Sequence, residues 1–189
     1  MQPLFHRESR VFSDRREAGR ELGDWFRRER PKGELLVLGL PRGGVPVAFE
    51  VAAALAAPLD VFLVRKLGAP FNPEFAVGAI AAGDVMVYNE EAVAGLGLDS
   101  RDLERIIARE RVELTRRERA YRSGRPPLAL EKKTVILVDD GIATGSTMRA
   151  AVAAARAMHA ERVIVAAPTA SRQAVIELER SADVVAVLS

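Results

Sequence analysis

Val135-Ile-Leu-Val-Asp-Asp-Gly-Ile-Ala-Thr-Gly-Ser-Thr147 joins an apolar, largely β-branched run to two adjacent acids, and then to a segment of glycines and hydroxyls. The run Thr134 to Val138 reads as a strand buried on both faces. Two neighbouring carboxylates at a buried strand end are costly unless a cation, a sugar diol or amide protons satisfy them. The Gly-x-x-Thr-Gly-Ser-Thr that follows offers close backbone approach, three hydroxyls and a helix N-terminus whose free amides attract an anion. Acids and anion site within one turn of chain match the span of a ribose 5-phosphate. A Walker A loop would need a lysine before its Ser/Thr, and a dinucleotide-binding loop places its acid after the glycines, at the next strand. A plain turn and N-cap would need one acceptor and not this whole run.

Working outward, Leu35 to Leu40, Asp60 to Val64, Arg162 to Ala167 and Val184 to Leu188 are further apolar runs of strand length. Between them lie helical patterns over Val45 to Ala56, Ser146 to Met158 and Ser171 to Arg180. Ser13 and Asp14 precede an amphipathic first helix with Ala18, Leu22, Trp25 and Phe26 at helical spacing, and Glu17 is placed to close a capping box onto Asp14. This alternation predicts an α/β fold: a doubly wound, mainly parallel sheet with helices on both faces. Phe75 to Ala82 and Val85 to Tyr88 flank Gly83-Asp84, which predicts a β-ribbon closed by a two-residue turn. Ser100 to Arg122 reads as a long helix with Leu103, Ile107 and Leu114 as its apolar stripe. From Arg101 to Arg125 there are nine arginines against five carboxylates, read as a solvated face laced with i,i+4 pairs.

The length of 189 residues suits one substantial domain, 1–189, with 67–127 as a hairpin and helical insertion. With 49% hydrophobic and 29% charged residues, the composition is that of a globular chain. The absence of cysteine excludes disulfides and thiolate chemistry. No apolar run is long enough to span a bilayer and MQPLFHRESR lacks a signal-peptide segment, so a cytoplasmic location and no membrane partner are expected. A net charge of +2 is too small to attract nucleic acid over long range.

In an open α/β sheet, ligands bind beyond the carboxyl ends of the strands. Leu40-Pro-Arg-Gly-Gly-Val-Pro46 is a second glycine turn entering a helix, and Arg42 suits bidentate phosphate contact. Arg65-Lys66 follows another strand and adds two cations to the same rim. His6 and His159 sit outside these motifs and read as surface or capping residues.

The Val135 to Thr147 segment resembles the phosphoribosyl-diphosphate-binding motif of type I phosphoribosyltransferases. The resemblance runs from about Phe12 to the last strand. It is nearer to a stand-alone bacterial group of phosphoribosyltransferase-like proteins, through Val64-Arg-Lys-Leu-Gly-Ala-Pro-Phe-Asn-Pro-Glu74 and Arg119-Ala-Tyr-Arg122. It implies that Asp139 and Asp140 bind the ribose hydroxyls, while Gly141, Ala143, Thr144, Gly145, Ser146 and Thr147 wrap the 5-phosphate. Pro41, Arg42, Gly43 and Gly44, in a loop that often includes a cis peptide, would hold the pyrophosphate together with Arg65 and Lys66 from another strand end. Lys66 joins the two aspartates as a catalytic candidate, and Asp140 is preferred for any acid–base role.

The resemblance further implies Mg²⁺, held by Asp139 and Asp140 directly or through other groups, with phosphoribosyl diphosphate and an acceptor base as substrates, and a homodimer. The segment Lys66 to Pro127 stands in place of the family's mobile catalytic loop. Val184 to Ser189 stops where related sequences continue with a segment that helps cover the site, which leaves the base-binding hood unassigned. The implied reaction is displacement of pyrophosphate from C1 of phosphoribosyl diphosphate by a nitrogen nucleophile. A non-catalytic sensor of phosphoribosyl diphosphate or a nucleotide, a nucleic-acid binder built on Arg101 to Arg125, and an Asp-pair phosphate-ester hydrolase are the rival readings.

Overall fold

The computed structural model describes residues 4–5 and 11–189. His6 lies outside the described residues. Among the described residues, nine strands and six helices follow in the order β1 (Leu4–Phe5), α1 (Arg15–Glu29), β2 (Glu34–Gly39), α2 (Gly44–Leu55), β3 (Leu59–Val61), β4 (Val64–Ala69), β5 (Asn72–Ala81), β6 (Val85–Tyr88), α3 (Glu90–Gly95), α4 (Ser100–Arg122), β7 (Lys133–Val138), α5 (Ser146–Ala157), β8 (Arg162–Ala167), α6 (Arg172–Leu178) and β9 (Val184–Val187).

The main sheet has the order β1-β9-β8-β7-β2-β3, with every pair parallel. Alternate residues of its strands point to opposite faces. Val135 and Leu137 of β7 pack with Met148 and Val152 of α5 and Leu178 of α6. Ile136 and Val138 pack on the other face with Trp25 and Phe26 of α1 and Val51 of α2. This is the doubly wound arrangement expected from the alternation of runs.

Helices α1 and α2 lie very close. A Cβ on Gly19 would stand 2.9 Å from the Glu50 Cβ, and one on Gly23 would stand 2.8 Å from the Ala54 Cβ. Two glycines at i,i+4 thus let the helices meet backbone to backbone, and that contact fixes where Arg15 begins α1. Asp14 caps α1 by accepting from the Glu17 amide at 2.8 Å. The Glu17 carboxylate accepts from the Ser13 amide, so the expected capping box closes one residue early.

Three sequence expectations change in the second sheet, which has the order β4-β5-β6 and is antiparallel. Asp60 to Val64 is not one strand, because the chain leaves the main sheet at Phe62-Leu63 and Val64 starts the second sheet. Both Phe62 and Leu63 are fully buried there, Phe62 against the main core and Leu63 beneath α4. The ribbon turns through three residues, Ala82 to Asp84, since Ala81 pairs with Val85. Gly83 and Asp84 both take positive φ, at 77° and 58°, as a tight turn requires. Helix α4 spans the predicted residues, but its buried line is Ile106, Glu110 and Leu114, with Leu103 and Ile107 only half-buried.

A charged anchor holds the end of α4. Asp60 accepts from Arg122 at 3.1 and 2.9 Å and from Arg125 at 3.1 Å. Burial alone would raise the Asp60 carboxyl, yet these guanidiniums and the Val61 amide hold it below the usual carboxylate range. The Arg122 side chain is only 8% exposed. Asp60→Ala would leave that guanidinium buried without its carboxylate, so urea denaturation should show a loss of about 3 kcal/mol.

Candidate functional site

The sheet changes winding direction between β2 and β7. From β2 the chain passes through α2 outward to β3, and from β7 it passes through α5 the opposite way to β8. Gly39 lies in register with both Val138 and Val61, so the chain leaves three strands at one rim. Divergent loops at such a switch point leave a crevice between them.

The two loops touch across that crevice. A Cβ on Gly43 would fall 2.0 Å from the Asp140 Oδ2, and one on Gly44 would fall 2.4 Å from the Val138 carbonyl oxygen. At Gly44 a Cβ would run into main chain, so no larger residue fits there, while at Gly43 it would displace the Asp140 carboxylate. The Pro41-Arg42 peptide is cis. Arg42 itself is exposed.

The segment from Gly141 to Thr147 is held from behind. The Ile142 carbonyl accepts from the Ser171 amide at 2.9 Å, and the Ala143 carbonyl accepts from the Ser171 hydroxyl at 2.6 Å. Arg149, itself paired with Glu177, donates to the Thr144 carbonyl at 3.2 Å. With three successive carbonyls turned inward, the amides of Ala143, Thr144 and Gly145 have no acceptor among the described residues. Ala143 and Thr144 are exposed, and α5 opens at Gly145, with φ of 71° and no side-chain cap. This is the geometry of an anion cradle.

The two acids part company. Asp139 faces a cavity of about 430 Å³ that it shares with Pro41, Arg65, Lys66 and Thr147. Asp140 turns toward Gly43 and the start of α1, where Arg15 Nε donates to its Oδ2 at 2.7 Å. Arg65 does not stand free on the rim as expected, because the buried carboxylate of Glu110 accepts from its Nε at 2.9 Å. The other walls of the cavity include Arg109 and Arg117 of α4.

The sequence reading missed Arg15, whose only local signal is its place in the first turn of a helix. Its partner lies 125 residues away. Arg109 and Arg117 were concealed among the arginines of α4, since periodicity tells which face is apolar but not what a polar face meets. His159 lies exposed just past α5, as expected of a residue outside the site.

Burial pushes the Asp139 carboxyl up to about 7; the Asp140 amide, which donates to it at 2.9 Å, opposes that shift and the adjacent Asp140 charge adds to it. The fold therefore holds this proton to a higher pH than the unfolded chain does. Native stability declines as pH rises from about 4, where the free acid ionises, toward the folded value. Asp139→Asn, without added metal, should stabilise the chain by about 1 kcal/mol at pH 8, after allowance for solvent screening, and leave it unaltered at pH 4. Paired urea titrations at the two pH values measure this.

Residues 16–188 match the family model of the phosphoribosyl transferase domain. A Mycobacterium tuberculosis protein named "Putative phosphoribosyl transferase Rv0571c" is 45% identical over 180 residues, which is 95% of this chain and 40% of that protein. The chain thus spans about 40% of the length of the curated relatives it matches. The crystal structure of TT1426 from Thermus thermophilus is 45% identical and superposes with a TM-score of 0.87, covering 95% of this chain and 86% of that one. A purine phosphoribosyltransferase from Pyrococcus horikoshii shares the fold at 16% identity, with a TM-score of 0.51 over 94% of this chain and 84% of its own. Among the described residues, no helix is long and apolar enough to cross a membrane.

Proposed function

Because the chain belongs to the phosphoribosyl transferase domain family, we propose that it transfers the 5-phosphoribosyl group from phosphoribosyl diphosphate to a nitrogenous base, releasing pyrophosphate. The observation that carries this reading is the single rim that joins the Asp139 carboxylate, its cavity and the run Ala143 to Gly145, whose amides have no acceptor among the described residues. A ribose 5-phosphate laid along the rim would set its phosphate on those amides and on the hydroxyls of Thr144, Ser146 and Thr147. Its diol would meet the aspartates, and C1 with the diphosphate would point toward Pro41–Gly44 and Lys66.

Displacement at C1 builds positive charge on the sugar and negative charge on the leaving group. The chain then needs to position the two reacting partners and stabilise those charges, with no nucleophile of its own. Asp139, beside the sugar, is suited to the developing cationic charge or to holding a proton. Its place in the cavity favours it over Asp140 for that role, reversing the preference drawn from sequence. Asp140 keeps a second carboxylate oxygen for a sugar hydroxyl while Arg15 holds the first. Arg15 also offsets the charge of two adjacent acids.

The donor set suits Mg²⁺ that arrives with the diphosphate. No cluster of three or more acidic, histidine or cysteine side chains that could enclose a metal occurs among the described residues. One or two carboxylates plus substrate phosphates are the usual ligands of this ion. Asp139 would hold it together with the diphosphate, and it would supply neutralisation of leaving-group charge.

The test is pyrophosphate release from phosphoribosyl diphosphate and Mg²⁺ across a panel of nitrogenous bases. The expected outcome is turnover with at least one base, and a fall in kcat of about 100-fold for Asp139→Asn. Unchanged turnover in both Asp139→Asn and Asp140→Asn would remove the pair from the mechanism. Binding without release would mark the chain as a sensor.

A further inference from the structure

Helix α4, part of the helical insertion expected in place of the family's mobile loop, stands beside the cavity, and two carboxylate anchors tie it down. The buried Glu110, in its middle, accepts from Arg65 of β4 and from its neighbour Arg109 at 3.1 Å. Asp60 of β3 takes Arg122 at its end. Ile106 and Leu114 add an apolar seam against Leu63, Leu67 and Val77. Through Arg65, Leu63 and Leu67 these contacts join α4 to β4 and the residues before it, which line the cavity. Opening α4 away from the site would expose that seam, take Arg65 from the buried Glu110 and take Asp60 from Arg122, and a buried charge parted from its partner is strongly destabilising.

Residues 109, 113 and 117 lie four apart on one helix face. Arg109 and Arg117 both reach the cavity, with Asp139 and Thr147 among its other walls. Their charges are not equally available. Arg109 shares the buried Glu110 with Arg65, so its withdrawal would weaken an anchor. Arg117 donates to Glu113 at 2.8 Å, and Glu113 also receives Arg116 through both its oxygens, at 2.7 and 2.8 Å. Glu113 therefore stays compensated when Arg117 turns to another anion.

We propose that α4 is a fixed wall of the site and that Arg117 is the residue it presents to the leaving diphosphate, where a planar guanidinium can meet two phosphoryl oxygens at once. This rests on the transfer reaction proposed above, and it adds that the diphosphate is met without closure of this segment.

Calorimetric titration of the whole chain with Mg²⁺ and pyrophosphate, and separately with ribose 5-phosphate, tests the assignment. Arg117→Ala should weaken pyrophosphate about 10-fold or more, the loss of one charge-assisted contact, and leave ribose 5-phosphate within about 2-fold. Arg117→Lys, which keeps the charge but not the fork, should fall between the two. Undiminished pyrophosphate affinity in Arg117→Ala would overturn the assignment, as would an equal loss for both ligands, which would indicate a structural role. Wild-type chain that binds neither ligand would overturn the transfer reading itself. Amide hydrogen exchange over 106–117 should be the same with and without pyrophosphate, and strong protection gained on binding would overturn the fixed wall.

Discussion

Parallel pairing of β2 with β7 is the contact on which the site depends. Six registered pairs, from Glu34 with Lys133 to Gly39 with Val138, bring two glycine-rich turns to the same height at the point where the winding reverses. The turns then meet closely, Gly44 against the Val138 carbonyl and Gly43 against the Asp140 carboxylate. A one-residue slip in this pairing would turn every alternating side chain of β7 to the wrong face. The cores on both faces of the sheet therefore protect the alignment of the site. Stability and site geometry reside in the same hydrogen-bonded ladder.

Charge around the crevice is distributed so that most carboxylates are already answered by protein. Asp60 has Arg122 and Arg125, Glu110 has Arg65 and Arg109, and Asp140 has Arg15. Asp139 is the exception, since it faces the cavity, no arginine or lysine pairs with it in the contacts described, and its proton is held toward neutral pH. A group buried at a cost to stability, at the opening of a pocket rimmed by cations, is the pattern of a site organised for a ligand and not for the empty fold. The arginine-rich helix belongs to this arrangement. Its charge is partly a solvated face, as in the Glu113 pairs, and partly two anchors that bind it to the sheet.

The doubly wound sheet was legible because strands buried on both faces leave unbroken apolar runs, and the helices between them leave a 3.6-residue period. The long helix was equally plain over Ser100 to Arg122. The break at Phe62-Leu63 was not legible, because one continuous apolar run served two different sheets. Within the site, the acids and the hydroxyl loop stood out as a contiguous motif. Arg15 and Arg117 did not, since each acts through distance in space and nothing in a local pattern says which solvated arginine faces a cavity.

The sequence alone determined the class of fold, the order of its elements, and the turn in which paired acids precede a glycine- and hydroxyl-rich helix start. Those features are local, set by periodicity and by the backbone freedom of a few glycines. Only the tertiary structure decided that Asp139 and Asp140 face different neighbours, that Arg65 serves an anchor, and that α4 stands as a wall. Such outcomes come from packing between segments far apart in the chain, where the close approach of α1 to α2 and the placement of Glu110 and Asp60 against α4 and its sheet select one partner among many similar charges.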